Sequence, residues 1–137
     1  MSFDVALAKL TADLSRLAYR SADSAQSGAA QHGLTEFKFF DGPSTQAFTA
    51  TDATRRFLAF RGTESRNPID WAKDAQFKPR IAVLGKIHSG FDSALEEVWP
   101  EVLAILAPDQ RPLVITGHSL GGGLATVAAA RLAGVER

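Results

Sequence analysis

The sequence predicts an α/β fold: a mainly parallel core sheet with an antiparallel N-terminal edge and helices on both faces. Three observations lead there. Phe57-Leu58-Ala59-Phe60 and Leu113-Val114-Ile115-Thr116 are short, nearly uninterrupted apolar runs, the pattern of strands buried on both sides. Segments with apolar residues three and four apart alternate with them, and that alternation layers helices on a sheet. Leu34–Phe40 and Thr45–Thr51 flank the turn Asp41-Gly42-Pro43-Ser44 and read as two edge strands.

In chain order, Phe3, Leu7, Leu10, Leu14 and Leu17 form one stripe of a first helix, with Ser2 placed to cap it. The small, polar, glycine-containing stretch Ser21–Gly33 reads as a loop. The hairpin and the Phe57–Phe60 strand follow, and Gly62 ends that strand. Gln76–Ala82 holds a further short strand, weakened by Pro79. Phe91, Ala94, Leu95, Val98, Val102 and Ile105 return to helical spacing. Pro100 lies inside that segment and calls for a kink or two abutting helices. After the Leu113–Thr116 strand comes Gly117-His118-Ser119-Leu120-Gly121-Gly122-Gly123, then an alanine-rich helix over Leu124–Ala133. No repeat, linker or low-complexity tract interrupts residues 1–137, which read as one domain.

Composition excludes several function classes. The chain has 137 residues, 45% hydrophobic and 22% charged, with 15 Lys+Arg against 15 Asp+Glu. That balance lacks the basic excess of a nucleic-acid binder. With no cysteine and three histidines, there is no disulfide framework, no cysteine nucleophile and little material for a metal site. The longest apolar run, Val102–Ala107, falls far short of the about 20 residues that span a bilayer. Asp4 and Lys9 interrupt the first ten residues, so no signal-peptide core is visible and a cytoplasmic setting is expected.

Gly117-His118-Ser119-Leu120-Gly121 is a Gly-x-Ser-x-Gly motif. Such a motif has a mechanism only between a strand and a helix, which is where it stands here. A turn that sharp strains the serine backbone and lifts Oγ above the sheet. Flanking glycines are then required, because a Cβ would collide with the neighbouring strand or helix. The helix N-terminus adds free N–H groups and the positive end of a dipole. A serine nucleophile also needs oxyanion donors. The N–H of Leu120 supplies one, and Thr63, in the loop after Phe57–Arg61, can supply the other through its N–H and hydroxyl. The plainer alternative for Ser119 is an ordinary turn serine.

Phe60-Arg61-Gly62-Thr63-Glu64-Ser65, Asp70-Trp71-Ala72-Lys73-Asp74, Ile87-His88-Ser89-Gly90-Phe91 and Gly117–Gly122 occur in this order. Together they resemble the fungal-type (class 3) lipases, over the N-terminal half of that family's pattern. The resemblance implies an α/β-hydrolase fold and cleavage of carboxylic esters, acylglycerols among them, without metal or cofactor. It implies Ser119 as nucleophile and Thr63 with Leu120 as oxyanion hole, with Gly117, His118 and Gly121 shaping the elbow. It further implies that Glu64, Ser65, Arg66, Asn67, Pro68 and Ile69 begin a lid. That stretch is short and polar, which favours a small or soluble ester.

One requirement is unmet within the sequence. In α/β-hydrolases an Asp or Glu and then a His follow the serine, whereas the residues after Ser119 contain no Asp, no His and one carboxylate, Glu136. The chain therefore reads as the N-terminal portion of such an enzyme, with acid and base absent and hydrolysis near background. Two other readings remain: a non-catalytic module that binds a ligand or partner, and one half of a two-chain assembly. His118 cannot easily replace the base, since neighbours on a tight turn point apart. His88 reads as a histidine bonded to backbone near the elbow and His32 as solvated. Trp71 reads as a packing anchor, Asp70 and Asp74 as caps or ion-pair partners, and Arg61 as a partner for a carboxylate.

Overall fold

A computed structural model describes residues 2–62 and 89–134. Its described elements are α1 (Val5–Leu17), α2 (Ala22–Gln31), β1 (Thr35–Asp41), β2 (Gln46–Thr51) and β3 (Arg56–Phe60). They continue with α3 (residues 89–96), α4 (Trp99–Leu106), β4 (Leu113–Gly117) and α5 (Leu120–Leu132).

α1 carries the expected stripe, but its N-cap is Asp4, whose carboxylate accepts the Leu7 N–H at 2.9 Å. Phe3 stays 80% exposed, so the stripe starts packing only at Leu7 and reaches the core at Leu14 and Leu17. Residues 21–33, expected as a loop, contain α2. Ser21 caps it by accepting the Ser24 N–H, and Ala25 and Ala29 are its buried residues. Alanine favours helix without adding much hydrophobicity, so this stripe of small residues is faint in the sequence. Gly33, at φ 77°, ends the unit.

The sheet order is β1-β2-β3-β4. β1–β2 and β2–β3 are antiparallel, and β3–β4 is parallel. The antiparallel N-terminal edge expected from the sequence is present, and β3 and β4 pair in parallel as expected. Among the described residues, however, two of the three pairings are antiparallel, so a mainly parallel sheet is not seen there. The reason lies in the connections. Tight turns at residues 42–45 and 52–55 close through Gly42 N–H to Thr45 O and Asp52 N–H to Arg55 O, and such turns permit only antiparallel neighbours. The long excursion between Phe60 and Leu113 alone leaves room for a parallel crossover.

Both faces of the sheet are covered. Successive residues of β3 point to opposite sides: Phe57 and Ala59 join Phe48, Ala50, Leu14, Leu17, Ala25 and Ala29 under α1 and α2. Leu58 and Phe60 join Leu95, Val98, Val102, Leu124 and Val127 under α3, α4 and α5. Phe57 and Phe60 are fully buried, each worth about 1.5–3 kcal/mol of transfer free energy. Pro100 sits in the first turn of α4, where its missing N–H is not needed, so α3 and α4 abut as two helices.

Candidate active site

The register of β3 and β4 sets the site. Phe60 lies beside Gly117 in parallel pairing, so the chain leaving β3 at Arg61–Gly62 runs next to the turn leaving β4. Ser119 occupies that turn with φ 57° and ψ −123°, a left-handed conformation that costs a serine about 1–3 kcal/mol. Ser119 is exposed. It stands at the N-cap of α5, yet its side chain makes no capping bond. An ordinary N-cap serine accepts an N–H from the first turn; the Ser119 hydroxyl has no partner among the described residues.

Glycine is required around it for steric reasons that can be named. A Cβ on Gly117 would run into the carbonyl of Gly121, and one on Gly121 into the carbonyl of Phe60. A Cβ on Gly123 would enter the ring of Phe91. These close approaches seat the start of α5 directly on the ends of β3 and β4. Gly121 N–H donates to His118 O at 3.0 Å and Gly122 N–H to Ser119 O at 2.9 Å. Leu120 N–H has no protein acceptor among the described residues. It stands open at the positive end of the helix beside Ser119.

His118 turns away from Ser119. Its Nδ1 is 3.1 Å from the hydroxyl of Tyr19, and the rings meet edge to face at 6.0 Å. Tyr19, just past the end of α1, escaped the sequence reading. Its signal was slight: a polar-tipped aromatic directly after the apolar stripe.

On the other face Arg131 anchors α5. It donates to Asp92 at 2.7 Å and to Glu96, and its guanidinium lies 5.5 Å from the Trp99 ring centroid. Burial would lower its pKa, but the hydrogen bonds to Asp92 and Glu96 outweigh that and raise it. The clamp fixes the helix whose first turn carries the site.

The structure therefore brings together Gly117, His118, Ser119, Leu120 and Gly121, with Gly62 alongside. Thr63, the lid residues Glu64, Ser65, Arg66, Asn67, Pro68 and Ile69, together with Asp70, Trp71, Asp74, the Gln76–Ala82 strand and His88, lie outside the described residues. Two grooves of about 590 and 390 Å³ are lined by other parts of the chain, one against β1, β2 and the end of α4, one between α1 and α2.

Comparison with known proteins gives a family. The family model described as Lipase (class 3) matches residues 57–136. The secreted mono- and diacylglycerol lipase 1 of Fusarium solani is 38% identical over 95 residues, 63% of this chain and 28% of that protein. The chain thus aligns with little more than a quarter of the length of that relative. No solved structure matches.

Proposed function

The chain belongs to the class 3 lipase family, and from that premise we propose that it is the Ser119-bearing portion of a serine hydrolase acting on carboxylic esters of lipids or small alcohols. The observation that carries the reading is the exposed Ser119 at φ 57°, with its hydroxyl uncommitted and an open N–H at Leu120. In this reading Oγ attacks the ester carbonyl. The oxyanion that develops is held by Leu120 N–H and by Thr63. Its collapse breaks the ester C–O bond and expels the alcohol, which receives the proton the histidine took from Oγ. Water then releases the acyl group from Ser119 as the carboxylic acid. Losing one such donor costs about 3–4 kcal/mol of transition-state stabilisation. The acid and the histidine come from polypeptide outside residues 1–137, which form the N-terminal portion of the α/β-hydrolase. A non-catalytic module would have no use for a strained serine kept free of its own helix cap.

The Fusarium protein's name specifies mono- and diacylglycerols and a secreted location. We carry both over as part of the proposal: partial acylglycerols are candidate substrates, and the secreted relative weighs against the cytoplasmic setting expected from the sequence. Among the described residues no helix is long and apolar enough to cross a membrane.

A fluorophosphonate probe tests the assignment. Whatever labelling the purified chain shows should be lost in Ser119→Ala, and measurable, equal labelling of both proteins would remove Ser119 from the role. Hydrolysis of short-chain p-nitrophenyl esters by these 137 residues should stay near background, because loss of a triad member costs orders of magnitude.

A further inference from the structure

We propose that Tyr19 is a positioning residue for the Ser119 turn, fixing the peptide plane before the serine through a single phenol hydroxyl; this rests on the reading of Ser119 as nucleophile. Alternate residues of β4 face α1. Val114 packs into the core under α1 and α2. Thr116 donates its hydroxyl to Thr11 O at 3.1 Å, and His118 meets Tyr19. α1 is therefore a brace laid along the strand that ends at Ser119, and Tyr19 is its last point of contact.

The hydroxyl of Tyr19 is 3.1 Å from His118 Nδ1 and 3.3 Å from His118 O. A phenol has one proton. Both contacts are satisfied together only if Tyr19 O–H donates to the carbonyl and His118 Nδ1–H donates to the phenol oxygen. That arrangement assigns His118 the tautomer protonated on Nδ1. The same carbonyl accepts Gly121 N–H at 3.0 Å, so both of its lone pairs are engaged. The plane of the His118–Ser119 peptide is thereby held from two sides, by α5 and by α1. Rotation about the next bond is the φ of Ser119, so this plane sets where Oγ points.

Gly62 closes the same cluster. A Cβ there would strike the Tyr19 hydroxyl and lie 2.9 Å from His118 O. Three segments distant in sequence, at Tyr19, Gly62 and His118, thus meet around one oxygen. The hydroxyl keys the serine turn to the strand exit that leads to Thr63. A tyrosine that merely rests its polar tip at the surface would touch neither carbonyl nor imidazole.

The test compares the full 137-residue chain with Tyr19→Phe, which keeps the ring and removes the oxygen. Nitrogen-15 NMR of the imidazoles should place the His118 proton on Nδ1 in the parent and shift it toward Nε2 in the variant. Fluorophosphonate labelling of Ser119 should slow about fivefold, the fold-change of one neutral hydrogen bond, with circular dichroism unchanged. Identical His118 nitrogen spectra in the two proteins, or equal labelling rates, would overturn the proposal. If the parent chain takes up no probe, the histidine missing from residues 1–137 accounts for it, and the labelling comparison gives way to a backbone readout. The amide shifts of Gly62 and Ser119 then decide the matter: displacement of both in Tyr19→Phe supports the positioning role, and their invariance overturns it. Should Tyr19→Phe fail to fold, Gly62→Ala, which crowds the same hydroxyl, must give the same tautomer shift.

Discussion

β3 and β4 have the same length and lie side by side in parallel register, yet Phe57–Phe60 are fully buried while every residue of β4 is half-buried. Both carry apolar side chains, so composition does not explain the difference. Position does: β3 has a strand on each side, and β4 has β3 on one side only among the described residues. Among the described residues β3 carries the larger share of the burial, and β4 ends in the strained serine.

The contrast can be broken most directly by truncation. Phe60→Ala should cost about 3–5 kcal/mol in urea unfolding, whereas Ile115→Ala in β4 should cost no more than about 2 kcal/mol. Equal losses would show that the two strands are equivalently packed and that the contrast is wrong.

Next in size is the seam between them. Gly121→Ala drives a Cβ against the Phe60 carbonyl and should cost about 1–3 kcal/mol. Fluorophosphonate labelling should fall further than stability does, because α5 must lift away from β3 and carry Leu120 N–H with it. A variant that labels normally would mean that the seam shapes the fold and not the site.

The smallest effect concerns how β4 is tethered at its start. Asp109 is held at about 2 instead of 3.8 by hydrogen bonds from the Arg111 side chain and N–H. Arg111 also donates to Asp52 O at 2.7 Å, and Arg56 donates to Arg111 O at 2.6 Å. A carboxylate whose folded pKa is depressed stabilises above its unfolded value and loses that contribution as pH falls through the folded value. The stabilisation should therefore be complete above pH about 4 and vanish toward pH 2. Thermal melts across that window should show a steeper fall for the parent than for Asp109→Asn; parallel curves would remove the pair from the stability of the β4 edge.

Much of this was legible along the chain. The Leu113–Thr116 run, the glycines around Ser119 and the apolar spacing broken at Pro100 rest on local rules of strand, turn and helix, and each describes an element found in the structure. α2 was not legible because its buried face is alanine, whose small side chain leaves no hydrophobic period to detect. The antiparallel edge and the parallel β3–β4 pair were legible, whereas the antiparallel β2–β3 pairing was not. An apolar run reports burial on both faces, which a covered antiparallel strand also has, and strand direction is decided by the turns that join strands.

Local sequence settled that residue 119 is a serine between glycines at the junction of a strand and a helix, because steric demands on a sharp turn act on immediate neighbours. Only the tertiary structure decided that the end of α1 reaches that turn. A contact between Tyr19 and His118, 99 residues apart, is made by laying a helix across a sheet, and no periodicity within either segment encodes it.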